Sequence, residues 1–176
     1  MYLKRMNYKV IKKILNKSPK IHDGCYISET ASVIGDVTLS EDVNIWFGAV
    51  LRGDMNFIRV GSGTNIQDNT TIHVTTKIAP TEVGSGVTIG HNAIIHGCKI
   101  EDNCLIGMGS IIMDQAIIGN GTLIGAGSIV PQKMIIPPNS VVMGIPAKII
   151  RKVTKQEAQE IVERSKQYIE LSKKYM

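Results

Sequence analysis

Three imidazoles carry the first chemical signal in this sequence. His73, His91 and His96 fall in one short stretch of chain, and a neutral imidazole is a common ligand of divalent metals. Two such rings standing one strand spacing apart suit a single ion with N–metal bonds of ~2.0–2.1 Å, whereas a lone ring on an outward position is only a polar surface residue. The remaining histidine, His22, has no evident partner and reads as solvated or as a turn cap. Whether the other three meet depends on the register in which the backbone stacks them.

That register comes from a six-residue period. Ile27, Val33, Leu39, Ile45 and Leu51 stand six apart, Val60, Ile66 and Ile72 continue the spacing, and so do Val83, Ile89 and Ile95. From Ile100 it runs unbroken to Val142. A small or β-branched residue commonly follows four positions later, as at Ala31, Thr64, Thr70, Ser110 and Ala116. No α-helix has a period of six, and alternating strands repeat every two residues. The physical solution is a coil of three short strands with a turn at each corner. The repeating apolar residue points inward, the small residue leaves room near the corner, and Gly or Asn tolerates the turn. Successive coils then stack at roughly 4.8 Å into three parallel sheets. The 28 Ile and 14 Val against 7 Leu agree with such β-branched packing, and the repeats amount to about six coils.

Two registers cross the gap between Ile72 and Val83. If Ile78 is an inward residue, Ile72 shares a face with Ile89, and His73 and His96 lie on different faces. If 74–82 holds a protruding insertion, Ile72 shares a face with Ile95, and His73 stacks directly on His96. The second is preferred because Ala79-Pro80 is poorly placed for a sheet interior. It also puts Asp68 and His91 on one shared face, each two after an inward residue. A three-residue insertion between Leu51 and Val60 places Arg52 beside His73. His91 then lies across a corner from the stacked pair, where a neighbouring chain in a three-fold ring could supply the third ligand.

The organisation expected is a basic N-terminal segment over 1–20, a β-helix domain over 21–147 and a C-terminal helix over 148–176 that packs on it. Thr154-Lys155-Gln156-Glu157 reads as a capping box. Ala158, Ile161, Val162, Ser165, Tyr168, Ile169 and Ser172 trace one helical face. Gly144 to Lys148 ends the repeats, with Pro146 unsuited to a central strand.

Composition removes other classes. The net charge of +5 resolves into +7 over 1–20, −6 over 21–147 and +4 over 148–176. With only 5% aromatics and no basic groove, nucleic-acid binding is not expected. No apolar run approaches the ~20 residues of a membrane span. Lys4, Arg5, Lys9, Lys12 and Lys13 interrupt any signal-peptide core. Three Cys without a secretion signal indicate reduced thiols and a cytoplasmic location. Cys98 and Cys104 read as buried inert thiols, Cys104 in the small inward slot. Glu82 reads as a solvated turn residue.

The stretch Ile45-Trp46-Phe47-Gly48-Ala49-Val50-Leu51-Arg52-Gly53-Asp54, with Asn65-Ile66-Gln67-Asp68, His73, Gly90-His91-Asn92-Ala93 and His96-Gly97-Cys98, resembles the gamma-class carbonic anhydrase-like family of hexapeptide-repeat proteins. The likeness covers roughly 17–175 and implies a mainly β fold, a left-handed parallel β-helix with a C-terminal α-helix. It implies a homotrimer with Zn2+, or another divalent metal such as Fe2+ or Co2+, between chains, held by His73 and His96 of one subunit and His91 of its neighbour. Gln67 would hydrogen-bond the metal-bound water, and Asn65 would orient its amide. Arg52, Asp54 and Asp68 would form ion pairs that organise the site and the interface, either as plain interface salt bridges or with a catalytic contribution. The implied activity is the reversible hydration of CO2 to bicarbonate by a metal-bound hydroxide, as a zinc lyase of carbonate dehydratase type.

Departures from the family pattern stand beside this. Met55 follows Asp54 where archetypal members carry a Glu shortly after, and the loop 74–82 is short with one carboxylate, Glu82. Tyr168 is either a hydroxyl at the site edge or a helix-packing residue. Two further functions share the scaffold. A CoA-dependent acyltransferase would use one His as general base, and a metal-stabilised trimeric structural module would have lost turnover.

Overall fold

A β-branched side chain at every sixth residue is buried only if the chain returns to the same axis once per three strands. The computed structural model describes residues 10–176 and has this form. Lys4, Arg5 and Lys9 of the basic N-terminal segment lie outside the described residues.

Three faces of parallel strands wind around one core. The first face stacks Tyr26–Ile27, Asn44–Ile45, Asn65–Ile66, Thr88–Ile89, Leu105–Ile106 and Leu123–Ile124, and ends on Ser140–Gly144. The second carries Thr71–His73, Ile94–His96, Ile111–Ile112 and Ile129–Val130. The third carries Thr81–Val83, Lys99–Ile100, Ile117–Ile118 and Ile135–Ile136. The long strands Ser32–Leu39 and Val50–Val60 turn a corner without a break and serve both the second and third faces.

The solenoid has about seven turns, not the six expected. Val10–Lys12 pairs with Ser32 to Ile34, and Lys20–Ile21 pairs with Thr38 and Leu39. These short segments add a rung ahead of Ile27, and their Lys-rich composition hid their strand character. The solenoid thus takes in part of 1–20. At the other end, Ala147–Lys152 is a strand antiparallel to Ser140–Gly144, with Pro146 in the turn between them. This reversal ends the parallel stacking, so the 148–176 segment opens as a strand before the helix begins.

Ile66, Ile72, Ile89, Ile95 and Ile106 are fully buried, and so are Thr70, Ala93 and Ser110, which follow Ile66, Ile89 and Ile106 by four. Where the small residue is polar, its hydroxyl donates to a backbone carbonyl of the next coil: Thr64 to Gly84 at 2.7 Å, Thr70 to Gly90 at 2.9 Å and Ser110 to Gly125 at 3.0 Å. These three buried hydroxyls are therefore satisfied and tie adjacent rungs. The left-handed turn residue comes three after the inward residue, as at Asn69 (φ +58°), Asn92 (φ +58°) and Gly109 (φ +68°).

Two departures from the period shape the site. Gly35 pairs with Gly53, and then Val37 pairs with Ile58, which leaves three extra residues in the second strand. The segment 74–80 leaves the solenoid as a tight excursion closed by the Thr75–Ala79 bridge, with Ile78 64% exposed at its tip. Ile78 is therefore not an inward residue.

Thr154 caps the helix Lys155–Lys173, and the capping box with Glu157 is formed in both directions. Ile161, Ser165 and Ser172 are buried, and the helix lies over Asn44–Ile45, Asn65–Ile66 and Thr88–Ile89 of the first face.

Candidate metal centre

Because Ile72 pairs with Ile95, the residues one step further on, His73 and His96, are direct cross-strand partners on the second face. His73 Nδ1 and His96 Nε2 approach to 3.1 Å. Two nitrogens at ~2.0–2.1 Å on a tetrahedral ion stand roughly 3.3 Å apart, so the pair fits one cation with little movement. The remaining nitrogens are committed elsewhere. His73 Nε2 meets Asp54 Oδ1 at 3.1 Å, and His96 Nδ1 meets Asp114 Oδ1 at 2.8 Å. A carboxylate on one ring nitrogen fixes the tautomer and leaves a lone pair on the other.

One carboxylate sits in an excursion and the other is hydrogen-bonded to one. Asp54 opens the three-residue insertion and pairs with Arg52 next to it. Asp114 also accepts from Thr75 Oγ1, at 3.0 Å, which anchors the 74–80 segment beside the site. Burial pushes the Asp54 carboxyl upward, but the hydrogen bonds from Arg52 and His73 outweigh it and hold it below the usual carboxylate range. Burial also holds the His73 imidazole below its ordinary value, against the hydrogen bond it makes to Asp54 and with help from the Arg52 charge. A ring kept neutral in this way is in the state a metal requires.

His91 belongs to the corner after the first face. The pairing of Ile66 with Ile89 sets Asp68 beside it, and His91 Nδ1 meets Asp68 Oδ2 at 2.8 Å. Gln67, nearly buried, donates from Nε2 to Asn65 Oδ1 at 3.1 Å, and Asn65 Nδ2 donates to Thr88 Oγ1 at 2.8 Å. The amide is thereby oriented through its nitrogen, and Gln67 Oε1 is left as the acceptor end. Gln67, His91 and Tyr168 line one pocket of about 270 Å³ between the first face and the helix. Tyr168 also packs edge-on against Trp46, with ring centroids 5.5 Å apart. Burial raises its phenol above the usual value, and the Asp68 charge adds to that.

One chain thus assembles two separate clusters. His73, His96, Asp54, Arg52 and Asp114 make one, and His91, Asp68, Gln67 and Asn65 make the other. Among the described residues no three His, Cys, Asp or Glu side chains converge as a metal cluster. Asp68 stands on His91 instead of joining Arg52 and Asp54. Asp114 escaped the sequence reading, although it follows Ile112 by two on the coil after His96, and the register argument carried one coil further would have placed it. Glu82 is exposed as expected but lies in the strand Thr81–Val83, because the solenoid resumes there and not after it. His22 Nδ1 accepts from the Gly24 N–H at 3.3 Å and so caps its turn. Burial pushes the thiols of Cys98 and Cys104 up to about 12, so neither supplies a thiolate at neutral pH.

Comparison with known proteins gives the class first. Residues 97–132 match the family described as bacterial transferase hexapeptide (six repeats), and residues 80–113 match the hexapeptide repeat of succinyl-transferase. With the three-faced parallel fold, these define a hexapeptide-repeat β-solenoid protein. A solved hexapeptide transferase family protein from Anaplasma phagocytophilum is similar over 95% of this chain and 98% of its own, with TM-score 0.91 and 39% identity. A carbonic anhydrase of Geobacillus kaustophilus is 43% identical over 90% of this chain and 87% of its own length. The mitochondrial gamma carbonic anhydrase 2 of Arabidopsis thaliana is also 43% identical, over 94% of this chain, which spans 61% of that protein. The chain belongs to the gamma carbonic anhydrase-like family of hexapeptide-repeat proteins.

Among the described residues no helix is long and apolar enough to cross a membrane. The plant relative is named as mitochondrial, so a cytoplasmic location remains an expectation from the sequence.

Proposed function

We propose that this protein is a metal-dependent carbonic anhydrase that works as a homotrimer, with His73 and His96 of one subunit and His91 of the next holding a divalent cation, Zn2+ or an alternative such as Fe2+ or Co2+. The observation that carries the proposal is that each of the three imidazoles rests one nitrogen on a carboxylate, Asp54, Asp114 or Asp68, and keeps the other for a ligand. When bound, the cation would lower the pKa of a coordinated water to roughly 7 and so supply the nucleophile for CO2.

The chain's own groups would do the rest. Gln67, held through Nε2 by Asn65, would present Oε1 to a water proton and keep the attacking oxygen aimed. Arg52 would neutralise Asp54, which steadies His73 without drawing its proton away. The half-buried Tyr168 would border the pocket with a protonated hydroxyl. Met55, 54% exposed, cannot carry a proton, so release of the proton to solvent would limit turnover.

An acyltransferase needs only one His as general base, and that chemistry leaves the three matched carboxylates without a role. The names of transferase relatives support the scaffold they share with this chain. The deciding experiment is metal analysis and CO2 hydration of the parent beside His91→Ala, both purified without oxygen. The expected result is loss of metal and of hydration in the variant. Equal metal in both would overturn the ligand assignment, and a metal-loaded parent without hydration would favour the structural module.

A further inference from the structure

The position one after each inward residue of the first face forms a column along the solenoid: Trp46, Gln67, Gly90, Gly107, Gly125. The helix lies over the rungs of Trp46, Gln67 and Gly90, and its Arg164 and Tyr168 border the pocket that continues past them. Trp46 fills the space beneath it and meets Tyr168 and Tyr175. Gly90, Gly107 and Gly125 below Gln67 line the pocket of about 270 Å³ and put no side chain into it, while a Cβ on Gly90 or Gly107 would meet the backbone of the next rung. Leu105, Leu123, Met108 and Ala126 form its sides. Met143 closes the far end, since a Cβ placed on Gly125 would lie 2.7 Å from Met143 Cγ.

The volume equals roughly nine waters at ~30 Å³ each, of which bicarbonate fills only a fraction. It falls just below the usual small-molecule range of ~300–1,000 Å³. Arg164 is the cation at its rim. Of the helix carboxylates, Glu157 pairs with Arg151 and Glu170 with Lys173, Glu160 accepts from Gln156, and Glu163 lines a different pocket beside Lys166. The groove therefore offers one guanidinium at its mouth, amide and imidazole groups at one end, and an aliphatic trough behind.

We infer that this groove binds a straight-chain aliphatic monocarboxylate, with its carboxylate at Arg164 and its chain lying along Gly90, Gly107 and Gly125. Two rung spacings separate the outer glycines, roughly 10 Å, and that sets the longest chain at about eight carbons. The site goes beyond the metal reading, with which it shares Gln67 and His91 at one end, and the walls along Gly107 and Gly125 come from a single chain.

Calorimetric titration of the full-length protein with acetate, butyrate, hexanoate and octanoate tests this, before and after chelation. Kd should fall about three- to fourfold per added methylene, the gain for removing a CH2 from water. Arg164→Gln should weaken every acid about tenfold and keep the chain-length slope. Ala126→Trp should flatten the slope and leave acetate unchanged, and Leu123→Lys serves the same purpose if that variant misfolds. Affinity independent of chain length, or a slope that survives both groove variants, would overturn the inference. Loss of the metal reading would show as absent metal with these titrations unaltered.

Discussion

Carboxylates behind imidazoles are the feature on which the metal reading stands or falls at the level of single residues. Asp114 is the most informative of them, because it touches His96 and the 74–80 segment but not the position a cation would take. Replacing it by Asn keeps the volume and removes the charge that fixes the His96 tautomer. Asp114→Asn should therefore lower metal affinity 10- to 100-fold, as outer-shell changes do, with the thermal midpoint of the chelated protein little changed. Competition against a chromogenic chelator reads this directly, and affinity equal to the parent's would remove Asp114 from the site. The three histidines were legible beforehand because they sit at fixed offsets from inward residues. The carboxylate behind His73 was not, since Asp54 enters from an insertion whose path no periodicity describes, whereas Asp114 lies on a regular coil two after Ile112.

At the scale of elements, the solenoid separates two uses of glycine that look alike in the sequence. Gly107 has an ordinary negative φ, yet a Cβ there would run into the backbone N of Ala126 on the next rung. Gly109 has φ +68° and open space around it, at the position where other coils place Asn69 or Asn92. Gly107→Ala should thus cost about 1–3 kcal/mol through overpacking, while Gly109→Asn should be close to neutral. Denaturant unfolding of the two variants separates them, and equal stability loss would contradict the turn assignment. The helix has its own electrostatic clamp. The hydrogen bonds of Arg151 and Thr154 hold the Glu157 carboxyl at about 2, well below its value in an unfolded chain, ~4.3. The unfolded state therefore takes up the proton first, and the stabilisation present above about pH 4.5 is lost as pH falls towards 2. Melting curves of Glu157→Gln should start lower at pH 7 and converge on the parent's in acid. Curves that stay parallel would show that the clamp is unimportant. The capping box was readable in four residues, and the faces in the six-residue period. The additional first rung was not readable, because a strand of three residues such as Val10–Lys12 is recognised only by the neighbour it pairs with.

For the whole molecule, the decisive fact is that one chain turns His91 away from His73 and His96, across the width of the second face. In the proposed ring of identical subunits, each interface would join the His91 corner of one chain to the His73–His96 edge of the next. Such an arrangement has a consequence that no single-chain site shares. A trimer made only of His91→Ala subunits lacks one ligand at every interface, and a trimer made only of His73→Ala subunits lacks another. Unfolded together in equal amounts and refolded, the two should recover sites wherever a His91→Ala subunit presents its intact His73–His96 edge to the His91 of a His73→Ala neighbour. Random assembly makes that ordered pairing in about one interface in four, so the mixture should regain about a quarter of the parent's metal, and none in either variant refolded alone. Mass analysis of metal per trimer, with sedimentation to verify assembly, gives the count. No recovery from correctly assembled mixed trimers would place all the ligands of any cation within one chain, and metal retained by His91→Ala alone would do the same.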